Sequence, residues 1–419
     1  NSNFWIIKLY QSKKYIRLKI NLELYKLGSN KNLYFKNINL NRYFKLEEKF
    51  ALPIPISNIQ NDLFILEEEE GFLINEDVLG FLFRMLSRCE EVNPSVKDID
   101  KHKRFKAIST EAYKNNFLDI PVVDLWIEQL IRISKNLWAI NIKRNNYKIC
   151  PSHDVDRPSL YLYSKRNLVY ELLLKLYKKD INSFKSLIPN FYKSSKNLQC
   201  EDPFNTFDWL IENSNKNNLQ SCFYFMSGSS SFRYDTGYNI RSNSIKNLLK
   251  KISDNGHLIG LHPSYGTYLN QRKLKKEYNN LLQLLNSLNI KTFAGVRMHF
   301  LRYSIPETPN ILENLGILFD STLGFPDKPG FRCGTSYEFQ MFDPVNQRPL
   351  KLRQKPLIMM ENTILPSEYS NLSLKESKLV MKDLLNKCKE HNGNFTMLWH
   401  NCQFIKTSYK DIYLELINS

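Results

Sequence analysis

The chain has 419 residues, of which 42% are apolar, and it carries a formal net charge of +17. This length and composition allow two domains, or one large α/β domain with an added module. A positive charge of this size is typical of proteins that bind nucleic acids. The lysines, however, are scattered among asparagines, with no Arg/Gly tract, basic helix or zinc-finger spacing. We therefore expect no nucleic-acid partner, although an anionic glycan or a membrane surface could use the charge.

The seven cysteines are widely spaced and include no CxxC pair. This pattern argues against a disulfide framework and a structural zinc site, and it is typical of a reducing compartment. No apolar run approaches the roughly 18 residues of a membrane span, so we expect no stable membrane insertion and a cytoplasmic location. The chain begins at Asn1 rather than Met, which leaves an export signal open, and the oligomeric state is open as well.

Residues 1–145 are predicted to form an N-terminal α/β accessory module. An apolar opening (FWIIKLY) and a Pro-rich, strand-like piece (ALPIPISNI) come first. Two predicted helices follow, in DVLGFLFRMLSRCEEV and DIPVVDLWIEQLIRISKNL, because their apolar residues recur at helical spacing. This region shows no catalytic cluster.

From residue 146 to 419, short apolar strands alternate with polar-faced helices. The predicted strands lie in YKICPSHD, SCFYFM, GHLIGLH, TFAGVR, ILFDSTL, LIMMENTIL and FTMLWH. The helices between them include SIKNLLKKISDN, LKKEYNNLLQLLNSL, TPNILENLG and LKESKLVMKDLLNKCKEHN. This alternation predicts a parallel sheet or barrel with crossover helices. Residues 163–205, rich in Lys, Ser and Asn, are interpreted as an insertion after the first strand.

Polar side chains gather at the carboxyl ends of these strands, where α/β barrels and open sheets place their active sites. The first strand ends in Asp154 and Asp156, which strand alternation puts on one side, about 6 to 7 Å apart. Later strand ends supply His262, Arg297, His299, Asp320 and His400. Aspartates in loops often only cap backbone N–H groups, but histidines at several strand ends beside an Asp-x-Asp favour a functional site.

In this order of motifs, residues 146–405 resemble the polysaccharide deacetylases (carbohydrate esterase family 4, the NodB-homology fold). The shared features are an Asp-bearing first strand, a Gly-His-x-Ile-Gly-x-His segment, an Arg-containing strand and a late apolar strand that ends in His. HDVDRP, GLHPSY and FDSTLGF look like a divergent branch with an N-terminal module, and FLFRMLSRCEE, DKHKRF and NNFLDIPVVD look like that module. The resemblance implies a distorted, TIM-like (β/α) barrel over residues 146–419.

The resemblance also implies a role for individual residues. Asp154 would be the general base, Arg297 would hold its carboxylate, and His400 would protonate the leaving amine or alcohol. Asp156 and His262 would bind a divalent transition metal, with Zn²⁺ as the expected ion. Such a cation polarises an acyl carbonyl and lowers the pKa of its bound water, so a carboxylate can complete the deprotonation near neutral pH.

The chain departs from the family pattern at two positions. The ligand expected four residues after His262 is replaced by Gly266, and the usual Arg-x-Pro has His299 where the proline is expected. We favour His299 as the relocated metal ligand, arriving from the neighbouring strand. His257 and a two-residue site completed by water or Ser264 remain alternatives.

Asp320, Tyr265 and Asp235 are candidate substrate contacts, although Asp320 could instead close its turn and Asp235 could support its loop. The expected function is a metal-dependent hydrolase that removes N- or O-linked acetyl groups from a saccharide in bacterial surface-polysaccharide metabolism. Two alternatives stay open: a metal-dependent hydrolase of cyclic amides or other C–N bonds, and a catalytically degenerate glycan-binding protein.

Overall fold

The computed structural model describes residues 4–30, 33–39, 51–56 and 64–419. Its strands are β1 (Phe4–Lys8), β2 (Tyr15–Lys19), β3 (Tyr34–Asn39), β4 (Ala51–Ile56), β5 (Ile65–Glu68), β6 (Gly71–Ile74), β7 (Lys148–Val155), β8 (Cys222–Phe225), β9 (Leu258–Leu261), β10 (Phe319–Asp320), β11 (Phe339–Asp343), β12 (Arg348–Gln354), β13 (Met359–Met360) and β14 (Asn394–Leu398). Its helices are α1 (Val78–Ser87), α2 (Glu111–Lys114), α3 (Val122–Trp138), α4 (Lys165–Tyr177), α5 (Ile181–Lys196), α6 (Phe207–Lys216), α7 (Asn243–Asp254), α8 (Gln271–Ser287), α9 (Glu307–Asn314), α10 (Leu374–Glu390) and α11 (Thr407–Ile417).

The N-terminal region contains two small sheets, of strand order β1-β2-β6-β5 and β3-β4. The strands expected in FWIIKLY and ALPIPISNI are β1 and β4; residues 57–59 of the second piece lie outside the described residues. Both expected helices are present as α1 and α3. Apolar side chains from these elements form one buried cluster between Ile16 and Ile133, joined by Phe325 from the C-terminal region.

The C-terminal region is built on parallel strands in the order β13-β14-β7-β8-β9. Single parallel bridges at Val296 continue the sheet from β9 to β10, which pairs with β12, and β11 lies antiparallel beside β12. The predicted parallel sheet with crossover helices is therefore present. Strand pairings among the described residues do not join β13 to β11, so the barrel itself stays a prediction.

The predicted strand TFAGVR is reduced to the bridge at Val296. Gly295 has a φ of +104°, and a Cβ at this position would lie 2.2 Å from the carbonyl oxygen of Phe319. Only glycine fits such a close approach, and its left-handed backbone interrupts the extended run. The apolar pattern indicated the position of this segment in the sheet but not its bend.

Helix α10 shows how local sequence sets an element of this region. Ser373 and Glu376 form a capping box at its first turn, which satisfies backbone N–H groups that lack partners within the helix. Its buried face repeats at helical spacing through Met381, Leu384, Leu385 and Cys388. In the insertion, by contrast, the described residues of α4 are all at least partly exposed, so α4 lies on the outside of the fold.

Residues 331–336 of the C-terminal region contact the N-terminal region through hydrogen bonds and an ion pair. Phe331 N donates to the carbonyl oxygen of Leu118 at 2.8 Å, and Val123 N donates to that of Gly334 at 2.8 Å. Glu91 is buried between two guanidinium groups, one of which belongs to Arg332. Burial favours the neutral form of Glu91, but these two cations outweigh that effect and lower its pKa to about 2.

Among the described residues, no helix combines the length and the apolar character that a bilayer span requires.

Candidate metal centre and active site

Four polar side chains converge at the carboxyl ends of the parallel strands. Asp156 follows β7, His262 follows β9, His299 lies just beyond the bridge at Val296, and His400 follows β14. These are the strand ends that the sequence singled out. The convergence follows from topology, since parallel strands bring all their carboxyl ends to one edge of the sheet.

Asp156 is the centre of this cluster. Its Oδ1 lies 3.1 Å from His262 Nε2, and its Oδ2 lies 3.6 Å from His299 Nε2 and 3.6 Å from His400 Nε2. Ligand atoms of Asp156, His262 and His299 all lie within 4.8 Å of one another, which is close enough for one cation to touch all three. The favoured third ligand, His299, is therefore in place for this role.

The hydrogen bonds behind the ligands test whether a cation fits. His262 Nδ1 lies 2.6 Å from the carbonyl oxygen of Arg297, which can only accept, so Nδ1 carries the proton and Nε2 keeps its lone pair. His299 Nδ1 likewise bonds to Asp235 Oδ1 at 3.0 Å. Asp156 Oδ1 and His262 Nε2 are buried and make no hydrogen bond with any described residue. Two orphaned ligand atoms that face each other, with oriented imidazoles behind them, fit a metal ion.

His299 is presented on a sharp backbone turn. Phe300 and Leu301, which follow it, have φ values of 60° and 53°, in the left-handed region that bulky residues avoid. Each such residue costs about 1 kcal/mol or more. These two residues end the extended segment directly after His299, whose imidazole faces Asp156.

Asp154 lies beside the cluster and contacts Arg297. The Arg297 guanidinium donates to Asp154 Oδ1 at 3.3 Å and to Ser152 Oγ at 2.7 Å, and two further bonds fix it on Ser321. Its carbon Cζ also lies 4.7 Å from the ring centre of Tyr224. Asp154 Oδ2 is 3.8 Å from His262 Nε2. One carboxylate oxygen is therefore held by the guanidinium, and the other faces the candidate ligand His262.

His400 has a carboxylate partner that the sequence analysis did not identify. Its Nδ1 lies 2.5 Å from Glu361 Oε1, while its Nε2 faces Asp156. Burial lowers the pKa of an imidazole, but Glu361 outweighs this effect and raises the pKa of His400 to about 10. Glu361 follows β13 directly, so the strand-end criterion that found the other residues could have found it.

The charges within the cluster reinforce one another. Burial opposes the charged form of His299, but Asp156 raises the pKa of His299 to about 9. The same contacts, against the opposing effect of burial, hold the pKa of Asp156 well below its usual range. A metal ion would have to displace the proton of His299, so its binding would release a proton.

The three candidate substrate contacts have other partners. Asp235 is buried and, besides His299, accepts hydrogen bonds from the backbone N–H groups of Ser230, Ser231 and Tyr265, which supports the loop as well as the ligand.

Tyr265 is half-buried and its hydroxyl lies 3.0 Å from His102 Nδ1. Asp320 is buried and its carboxylate holds the backbone and hydroxyl of Thr322, so it closes its own turn; burial raises the pKa of this carboxyl to about 6. Neither Asp320 nor Tyr265 lines the cavity beside the metal ligands. Their role as substrate contacts gains no support from these positions.

His257 lies at the other end of β9, away from the cluster. Its Nδ1 accepts a hydrogen bond from Ser221 N at 3.3 Å, and its ring packs 6.1 Å from that of Phe223. It takes no part in the group of possible ligands among the described residues.

A cavity of about 210 Å³ opens beside the cluster. Its lining residues are Arg104, Asp154, Asp156, His262, His299, Phe300, Leu301, Pro326, Met360, Asn362, Glu368, Tyr369, Leu398 and His400. Arg104 belongs to the N-terminal region, and no strand or helix pattern pointed to it. A larger cavity, of about 770 Å³, lies at the amino ends of the same strands.

The chain is similar to one protein family over its N-terminal region and to a solved structure over a larger part. Residues 6–139 match the sequence profile of a family of unknown function (DUF7033). No curated protein matches the chain. Among solved structures, a proposed polysaccharide deacetylase from Mycobacterium smegmatis is 15% identical, with a TM-score of 0.42 over 67% of this chain and 85% of that one.

Proposed function

We propose that the chain is a metal-dependent hydrolase that removes acetyl groups from a saccharide. One observation carries the proposal: Asp156 lies within 3.6 Å of three imidazoles, and two of the facing ligand atoms are buried without a hydrogen bond to any described residue. A pair of nitrogen ligands with one carboxylate and an open position suits Zn²⁺ or a similar transition metal.

Asp156, His262 and His299 would hold the cation. Once bound, the cation would polarise the acyl carbonyl and make an attacking water more acidic. Asp235 and the carbonyl of Arg297 fix the two imidazoles with Nε2 directed at the site, so the ligands need little rearrangement.

In this proposal Asp154 acts as the general base. Arg297 holds its Oδ1 at 3.3 Å, which leaves Oδ2 free to accept a proton from the water as the water oxygen attacks the acyl carbon. The buried guanidinium, tied to Ser152 and Ser321, fixes the direction of this carboxylate.

In this proposal His400 acts as the general acid. Glu361 holds its Nδ1 and favours the charged imidazolium, so that Nε2 can give a proton to the leaving amine or alcohol when the C–N or C–O bond breaks. The products are acetate and the free amino or hydroxyl group of the sugar.

The apolar walls of the cavity favour a small acyl group. Leu301, Leu398 and Met360 form a separate apolar cluster beside the polar residues. These side chains would contact the methyl group of an acetyl substituent in the cavity of about 210 Å³.

The test combines metal content with a substrate panel. We expect about one transition-metal ion per chain by mass spectrometry, and its loss in His299→Ala. The reloaded protein is then offered an N-acetyl amino sugar, an O-acetyl sugar and a cyclic amide. Acetate release from a sugar supports the proposal; turnover of the cyclic amide alone favours the other C–N hydrolase. A protein that takes up no Zn²⁺ and binds a glycan without turnover would be the degenerate binding protein.

A further inference from the structure

A short loop of the N-terminal region forms one wall of the site. Residues 100–104 make a tight turn closed by an antiparallel bridge between Ile99 and Phe105, with Lys103 N bonded to the carbonyl oxygen of Asp100 at 3.0 Å. Arg104, at the end of this turn, is 5% exposed and lines the cavity beside the metal ligands.

This loop is fixed against the residues that follow His299. Arg104 donates to the carbonyl oxygen of Phe300 at 3.1 Å, and Arg302 Nε donates to that of His102 at 2.8 Å. The His102 ring packs 4.9 Å from the ring of Phe300. Arg104 therefore has a defined position relative to His299.

The cavity at the metal ligands continues along this loop. A second cavity of about 300 Å³ is also lined by Arg104, Pro326 and Tyr369, and in addition by Lys101 and Lys106. The two cavities share these three residues and therefore lie side by side, and we refer to them together as the groove. We call Lys101, Arg104 and Lys106 the basic subsite.

The basic subsite has an excess of positive charge. Asp100 lines the subsite, but its carboxylate already accepts hydrogen bonds within the loop. The donors are the backbone N–H groups of His102 and Arg104 and the Nε of Arg104. Burial raises the pKa of Asp327, the other carboxyl group there, and so favours its neutral form. Lys101 and Lys106 form no ion pair with any described residue.

Arg104 also keeps unused donors. Of the five N–H groups of a guanidinium, described residues take the one on Nε, one on Nη1 and one on Nη2, through Asp100 and Phe300. Glu368 lines the cavity at the metal centre but not the second cavity. At the lysine end of the groove, Asp100 is therefore already paired with Arg104, whereas Lys101 and Lys106 have no carboxylate partner among the described residues.

We propose that the basic subsite binds a carboxylate of the substrate, so that the acetylated saccharide is an acidic one, such as a polymer that contains uronic acid. This inference rests on the proposed function for the position of the acetyl group, and it adds the class of saccharide. A guanidinium flanked by two ammonium groups recognises carboxylates through charge-assisted hydrogen bonds. The charge of +17 on the whole chain would also attract an acidic polymer.

The experiment measures binding by calorimetry with the full chain. The probes are trigalacturonate, which is acidic, and cellotriose, which has the same number of sugars and is neutral; neither carries an acetyl group. We expect trigalacturonate to bind more tightly, and its Kd to rise by about ten-fold between about 50 and 500 mM NaCl. Arg104→Gln and Lys106→Gln should each weaken its binding by about ten-fold.

Lys103→Gln is the matched control, because it removes the same charge from the same loop at an exposed position that does not line the groove. Its Kd should stay within about two-fold of that of the wild type. Should Arg104→Gln unfold, Lys106→Gln carries the test, since its side chain makes no contact on which the loop depends among the described residues.

Two failures can be told apart. Equal binding of both probes, or equal losses in Lys103→Gln and Lys106→Gln, overturns the acidic substrate even if the protein deacetylates neutral sugars. Binding of trigalacturonate that depends on Arg104, in a protein that hydrolyses no acetylated sugar, leaves the inference standing and rejects the hydrolase.

Discussion

The two ends of the parallel sheet differ in what they offer a ligand. At the amino ends lies the larger cavity, about 770 Å³, with Lys148, Cys150 and Lys355 in its walls. At the carboxyl ends a cavity of about 210 Å³ brings two aspartates and three histidines together. By volume alone, the cavity at the amino ends would be the preferred candidate for a ligand site. The second end carries groups that can bind a metal, because a carboxylate faces several imidazoles there and two of the facing atoms have no hydrogen-bond partner among the described residues.

Two histidines on one strand show the difference most clearly. His257 and His262 are both buried and flank β9, at its amino and carboxyl ends. His257 packs beside Phe223 in the core, and burial lowers its pKa. His262 faces Asp156 at 3.1 Å. What makes a histidine a candidate ligand is thus the side chains brought to it by other strands.

The most direct test of the difference between His257 and His262 is to replace each histidine in turn. We expect His262→Ala to lose its metal and its activity, because the Nε2 ligand is gone, while His257→Ala keeps about one metal ion per chain. Mass spectrometry of the two purified variants measures this. Thermal unfolding of both serves as the folding control, since each substitution leaves a cavity. Equal metal content in the two variants would remove the basis for placing the site at the carboxyl ends.

Asp154→Asn should lower kcat by about 1000-fold, because an amide cannot accept the proton of the attacking water. The metal content should stay unchanged, since Asp156, His262 and His299 are intact. Steady-state kinetics and metal analysis on the same sample check both parts. Near-normal turnover would contradict the assignment of Asp154 as base.

Glu361→Gln should lower kcat by about 10- to 100-fold, because the amide no longer favours a charged, correctly oriented His400. Glu338→Gln is the matched control: the same change of carboxylate to amide, beside the cavity at the amino ends. That variant should stay within about two-fold of the wild type. Equal losses in both variants would show that Glu361 acts through the fold rather than through His400.

The smallest expected effect is at the amino end of β7 itself. Lys148→Gln should change kcat by less than about two-fold, since six strand residues place Lys148 about 20 Å from Asp154. The same kinetic assay measures it. A large loss would indicate that the larger cavity takes part in the reaction, and would reverse the comparison.

Most of the fold and the main residues of the site could be predicted because their signals are local. An apolar run followed at once by a polar residue marks a strand and its carboxyl end, and Asp156, His262 and His400 were all found in this way. Glu361 also follows a strand directly, but the sequence analysis placed it inside the predicted strand LIMMENTIL. The hairpin of β11 and β12 and the bend at Gly295 were not predicted, because both depend on tertiary contacts rather than on neighbours along the chain.

The substrate contacts were the weakest predictions for the same reason. Asp320 ends β10 and Asp235 stands in a loop, and their neighbours Thr322 and His299 decide what each carboxylate does. Arg104 lies nearly two hundred residues from His299 in sequence and reaches the site through a bond to Phe300. No periodicity or motif in one sequence reports such a contact.

The sequence by itself determined the alternation of strands and helices, the parallel order that this implies, and the set of residues that stand at strand ends. Only the tertiary structure decided that His299 rather than His257 faces Asp156, that Glu361 supports His400, and that a loop of the N-terminal region walls the groove. The reason is physical: secondary structure follows from neighbours along the chain, whereas a ligand set, a proton donor and a substrate pocket are defined by distances of a few ångströms between residues far apart along it.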